Sequence, residues 1–391
     1  MMIFELRDSP PASARILGDP IPRHQAMIDR CNDQLAPPFE GIHASSGVVN
    51  GLFPLRRSGM SLDRVTRARE ALVSALDPTA RKTVQFPVET DNWRRWCNIH
   101  RFLMRHGLLL DSLTDQQRGL VFGLLGSVLS DEGLDGARDV MRLNETIQEI
   151  SGRLDNQGFP EFGEWMYWIS LMGEASASEP WGFQLDGHHL NINCLLLGDQ
   201  VVVTPYFLGS EPLEAETGKF KGVRILEAEE RVALELVQSL DKSQRQQAVT
   251  SETMPPGLFT GAFSDNVVLD YEGICYEQLD PKQREVLVRL IRVYVDRLSP
   301  DIANEKMREV EAHLGTTFFS WMGETTNESV FYYRVHSPVI LLEFDHEPGI
   351  VFKGLEPMKS HVHTMMRTPN GNDYGIDYIR EHRKLHPHHN E

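Results

Sequence analysis

Side chains two residues apart on an extended strand point the same way. His361-Val362-His363 would therefore present two imidazoles side by side. That spacing suits two ligands of zinc, iron, manganese or copper. Leu341-Leu342-Glu343-Phe344-Asp345 puts two carboxylates on one face of another strand-like run. A buried carboxylate is costly without a cation, an arginine or a metal beside it. Joined to the two histidines, Glu343 would complete a two-histidine, one-carboxylate set. A third run, Gly187-His188-His189-Leu190-Asn191-Ile192-Asn193, alternates so that His189, Asn191 and Asn193 share a face. That polar face is expected to line something wet. His189 is expected to point into the pocket, and His188 only across a bulge. The expected metal ligands are thus His189, His361, His363 and Glu343.

Other residues fit supporting roles. Asp345 would orient a ligand or act as a base, while Asn193 and Arg334 would position substrate. Trp181, Tyr333 and Arg367 are candidate substrate contacts. Arg334 and Arg367 could grip a carboxylate or phosphate through their donor forks, or neutralise Glu343 and Asp345. Trp93-Arg94-Arg95-Trp96 is either an aromatic, basic lip or a packed corner. A metal with an open coordination place can make a nucleophile of bound water. Hydrolysis of a small ester, lactone or amide is the expected outcome. Iron on the same ligands would suit an oxygenase or a lyase, and a non-catalytic pocket for a small polar ligand is the reading from another class. The chain has no phosphate-cradling glycine loop, no G-x-S-x-G elbow and no H-E-x-x-H helix. The terminal Leu385-His386-Pro387-His388-His389 could chelate metal adventitiously.

The elements that must hold these residues are expected to be written twice. Leu76-Asp77-Pro78-Thr79-Ala80-Arg81 resembles Leu240-Asp241-Lys242-Ser243-Gln244-Arg245, 240 − 76 = 164 residues on. Leu113-Thr114-Asp115-Gln116-Gln117-Arg118 resembles Leu279-Asp280-Pro281-Lys282-Gln283-Arg284, 279 − 113 = 166 on. Leu171-Met172-Gly173-Glu174 matches Trp321-Met322-Gly323-Glu324, 322 − 172 = 150 on, and Thr204-Pro205 can be laid on Thr368-Pro369. Helical spacing follows Ser61 and Thr114 and covers 228–240, 243–249 and 280–298. Strand patterns cover 181–185, 190–197 and 200–207, then 330–335, 339–345 and 361–366. The expected fold is α+β, a helices-plus-antiparallel-meander unit duplicated with pseudo-twofold symmetry. Residues 1–60 would be an N-terminal arm, 61–215 the first half and 216–391 the second, with a site between the halves.

A net charge of −17 over 391 residues argues against nucleic acid or an anionic membrane surface as partner, since both need a basic face. A small-molecule substrate is the expected partner; oligomeric state is not legible. The four cysteines lie far apart with no CxxC pair, which points to buried thiols in a reducing compartment. The beginning Met1-Met2-Ile3-Phe4-Glu5-Leu6-Arg7-Asp8 has no secretory pattern. A cytoplasmic location is expected.

At several of these runs the chain resembles a bacterial and eukaryotic family known as domain of unknown function 3500. The runs are Pro180-Trp181-Gly182-Phe183, Gly187 to Asn193, Tyr332-Tyr333-Arg334-Val335, Leu342-Glu343-Phe344-Asp345 and His361-Val362-His363-Thr364. The resemblance extends from about residue 60 to about 383. It departs at Met365-Met366-Arg367-Thr368, which lacks an aromatic and an acidic residue expected there. The family carries no assigned activity, so the resemblance implies no reaction.

Overall fold

The computed structural model of the chain describes residues 22–56, 58–99, 105–154, 158, 160–352 and 354–386. The start of the chain, on which the compartment was judged, and most of the histidine-rich tail lie outside the described residues. Among the described residues, no helix is long and apolar enough to cross a membrane.

Helices and a mixed sheet make up an α+β fold. Among the described residues, thirteen strands form one sheet. They are β1 (Gln85–Phe86), β2 (Leu108–Leu109), β3 (Tyr167–Met172), β4 (Trp181–Gly187), β5 (Leu190–Leu197), β6 (Gln200–Val202) and β7 (Tyr206–Ser210). Then come β8 (Val249–Ser251), β9 (Ile274–Cys275), β10 (Phe318–Gly323), β11 (Phe331–His336), β12 (Leu341–Pro348) and β13 (Pro357–Arg367). The order across the sheet is β1-β3-β4-β5-β7-β13-β12-β11-β10-β8. β1 lies parallel to β3, and β8 parallel to β10; the other pairs are antiparallel. β2 adds to β3, β9 to β10 and β6 to β5. The run expected as one strand over 200–207 is two, β6 and β7, separated at the cis Thr204-Pro205 bond.

Local signals explain where the helices begin. Asp77 accepts from the Thr79 and Ala80 amides, and Asp241 from those of Ser243 and Gln244. Thr114 with Gln117 and Asp280 with Gln283 form reciprocal capping boxes at the helices Asp115–Leu125 and Pro281–Val295. Among the described residues, four further helices, Pro22–Leu35, Asp131–Ser151, Pro300–Ala312 and Ile376–Leu385, are not marked by the sequence patterns.

The two faces of the sheet are covered differently. On one face, Leu185, Ile192, Leu208, Phe344 and Val362 form a single core with Val140, Leu236, Leu287 and Ile291 from the helices. The other face meets irregular chain, with Phe39, Trp93, Trp96 and Tyr374 packed on Leu195, Phe207 and Met365. Irregular backbone has no ladder of its own, so its amides and carbonyls need partners. The polar side chains of this sheet face supply them. Asp186 accepts from the Cys97 amide and pairs with Arg105. Gln184 donates to Trp93 O and to Asn193 Oδ1, and Asn193 donates to Asn191 Oδ1 and Pro205 O. The polar face expected to be wet is therefore buried and hydrogen-bonded. The Trp93 to Trp96 segment is a packed corner, in which Arg94 forks onto Asp265.

Candidate metal centre

β4 and β5 are joined by a two-residue turn, His188-His189, closed by the Gly187↔Leu190 pair. His189 takes φ +61° there. The turn is pinned from both sides: the His189 amide donates to Asn98 O, and the Gly209 amide donates to His189 O, each at 2.9 Å. No bulge is involved. The turn stacks the two rings, with centroids 3.9 Å apart. His188 is anchored to the helical layer, its Nδ1 2.8 Å from Asn144 Oδ1 and its ring against Phe162. His189 faces β13.

β13 pairs with β7 and places His363 opposite Gly209. A side chain at Gly209 would put a Cβ 2.7 Å from Val362 O and 2.8 Å from His363 Cδ2, so the glycine makes room for that ring. His361 and His363 project from the same face, as the H-x-H spacing predicts. The outcome is a trio of imidazoles meeting at their Nε2 atoms. His361 Nε2 lies 3.2 Å from His189 Nε2 and 3.1 Å from His363 Nε2. All three rings are buried.

The opposite ring nitrogens set the tautomers. His361 Nδ1 lies 2.7 Å from Pro348 O, an obligate acceptor, and so carries the proton. His363 Nδ1 lies 3.3 Å from Glu347 Oε1 and 3.9 Å from Asp345 Oδ1. With protons at Nδ1, the facing Nε2 atoms of His361 and His363 present lone pairs to each other. Lone pairs at that distance repel unless a proton or a cation stands between them. Burial, then the neighbouring His363, pushes His361 down to about 3, which disfavours the proton. Ligand nitrogens about 2.0–2.1 Å from a tetrahedral zinc sit roughly 3.3 Å apart. The observed spacing fits a cation, and acceptors behind ligating histidines are the usual means of fixing their rings.

A carboxylate pair stands behind His363. Burial, then the charge of Glu347, holds the Asp345 carboxyl well above the usual range. Burial alone would raise Glu347 too, but its bond to His363 brings it below its ordinary value. Asp345, Glu347 and His363 form a second group whose ligand atoms all lie within 4.8 Å of one another, as do those of the histidine trio.

A family model described as a protein of unknown function (DUF3500) matches residues 58–376. The chain belongs to that family. No curated protein and no solved structure matches it significantly.

The remaining expected site residues of this DUF3500 chain lie elsewhere. Glu343 is not beside the histidines, because register sets it opposite Met365 while Asp345 faces His363. Its carboxylate accepts from the Phe259 and Thr260 amides, the Thr260 hydroxyl and the Tyr332 hydroxyl. Asn193 is saturated, as described above. Arg367 donates to Thr260 O, Gly261 O and Asp373, so it stitches loops together. Arg334 donates to Glu272 and Asp270 O and stacks on Phe259, though its buried Nε and Nη1 find no hydrogen-bond partner. Tyr333 lies in the helical core, its hydroxyl bonded to Tyr294 and Glu229 O. Trp181 is buried at the far end of β4 from the histidine turn, about 20 Å along the strand. Glu347 was missed. Its signal was the alternation Glu343, Asp345, Glu347, which continues the same face two residues further.

Proposed function

We propose that this chain is a metal-dependent enzyme, a hydrolase of a small ester, lactone or amide. His189, His361 and His363 hold a divalent cation, zinc, iron or manganese. The carrying observation is the convergence of Nε2 atoms at 3.1 and 3.2 Å with acceptors placed behind two of the rings. A cation with an open coordination place lowers the pKa of bound water toward neutrality and so supplies a nucleophile. Pro348 O and Glu347 keep the Nε2 lone pairs of His361 and His363 turned inward. Asp345, neutral beside Glu347, holds a proton next to the site that a leaving group can receive. Glu343 is left out of the ligand set.

The test uses the full chain with His386, His388 and His389 replaced by Ala, which removes chelation by the tail. Such protein should purify with stoichiometric metal and hydrolyse members of a panel of small esters and lactones. His361→Ala and His363→Ala should each strip the metal and abolish turnover while the circular dichroism spectrum is kept. A doubly substituted protein that retains metal and activity would refute the site.

We also propose that the fold arose by internal duplication. The strand order and pairing senses read alike from both edges of the sheet. Ser130 N donates to Arg297 O and Ser299 N to Val128 O, a reciprocal contact between matching places 169 residues apart (299 − 130; 297 − 128). The Thr204 and Thr368 hydroxyls, matched in sequence, meet at 2.7 Å. The histidine trio then spans the seam between the copies, β7 against β13.

A further inference from the structure

The Asp345 side chain is fully buried on the non-helical face, and neither of its oxygens meets a donor in good hydrogen-bonding geometry; its electrostatic contacts include Glu347 and the His363 backbone. Arginine and lysine supply no such donor, although buried carboxylates elsewhere in the sheet, Asp186 and Glu343, are fully engaged. Its neighbours are a second carboxylate, Glu347, and the Nδ1 of His363 at 3.9 Å. Glu347 is 3.3 Å from that same nitrogen. Two acidic groups and an imidazole nitrogen at such distances make a set of donors for a hard or borderline cation.

We propose that Asp345, Glu347 and Nδ1 of His363 bind a second divalent cation, so that His363 bridges two metal ions through its ring. This inference rests on the reading of the histidine trio as the first site. His363 already turns Nε2 to the trio and Nδ1 to the carboxylates, so both ring nitrogens are aimed. Uptake of the second ion replaces both the Nδ1–H and the proton held on the Asp345 carboxyl, and the two protons leave to solvent. The bridge is then an imidazolate, which carries one negative charge between two cations. The oxygens of Asp345 become ligands.

The experiment is zinc uptake by equilibrium dialysis, on metal-stripped full chain with the three tail histidines replaced. Two equivalents per chain are expected, falling to one in Asp345→Asn/Glu347→Gln and to one in His189→Ala. A single equivalent that is lost in His189→Ala and unchanged in Asp345→Asn/Glu347→Gln overturns the second site and leaves the first standing. No uptake at all overturns both. Should the carboxylate variant misfold, the unsubstituted site loaded with copper(II) decides. Copper ions bridged by one imidazolate couple magnetically, so the electron paramagnetic resonance signal should fall well below that of two isolated ions. Full intensity for two isolated ions would overturn the bridge.

Discussion

Glu343 and His363 share a face of the sheet but have opposite duties. Glu343 accepts four hydrogen bonds from the irregular layer and from Tyr332. Glu343→Gln keeps the shape but turns one acceptor into a donor facing other donors. A cost of about 1–3 kcal/mol is expected, read as a lower midpoint in denaturant unfolding. Metal content should be unchanged, and a loss of metal in this variant would return Glu343 to the ligand set. The sequence displays the alternation of Glu343, Asp345 and Glu347 but not the register of β12 against β13. Register alone decides which carboxylate meets a histidine. H-x-H was legible because its geometry is internal to one strand.

The elements that could be read in advance are those with local signals. The capping boxes at Thr114 and Asp280 lead into the helices they announce, and β5 spans Leu190–Leu197 as its pattern says. The helix Asp131–Ser151 carries Gly133 and Gly136 in its first turns, and glycine is a poor helix former. A Cβ at Gly133 would lie 2.0 Å from Arg297 O, so that glycine serves a close approach between the two halves. Nothing local announces such a contact. The proposed duplication makes a prediction at this scale. Aligning the first half of many family sequences against the second should recover one offset from β3 through β5, with Asn193 on Glu343 and Ser170 on Ser320 (343 − 193 = 320 − 170 = 150). A best alignment that scatters these pairs would remove the argument for common descent of the halves.

Across the described residues, four histidines, His106, His336, His346 and His361, are held below the ordinary value by burial. Burial pushes His106 down to about 4, and His336 and His361 down to about 3. A depressed folded value means that the unfolded chain binds the proton first. Stability is then lost as pH falls from about 6.5 toward the folded value, at up to ~1.4 kcal/mol per unit for each group. Buried carboxyls such as Asp186 and Asp373, held high by burial, act in the opposite sense, so a difference between proteins isolates one group. His336→Leu should lose less stability than the parent between pH 6.5 and 4, by about that slope. Parallel denaturation profiles for the two proteins would show that His336 titrates normally.

The histidine trio joins positions 172 residues apart in the chain, and this bears on how the protein is made. During synthesis the His188-His189 turn and β7 exist long before β13 has emerged. Until then β7 presents an open strand edge, the kind of surface on which chains associate wrongly. β13 closes that edge and delivers His361 and His363 in the same movement. Under the proposed metal reading, cation loading at the trio would belong to the end of maturation, and a bound ion would mark a chain in which β13 has reached β7.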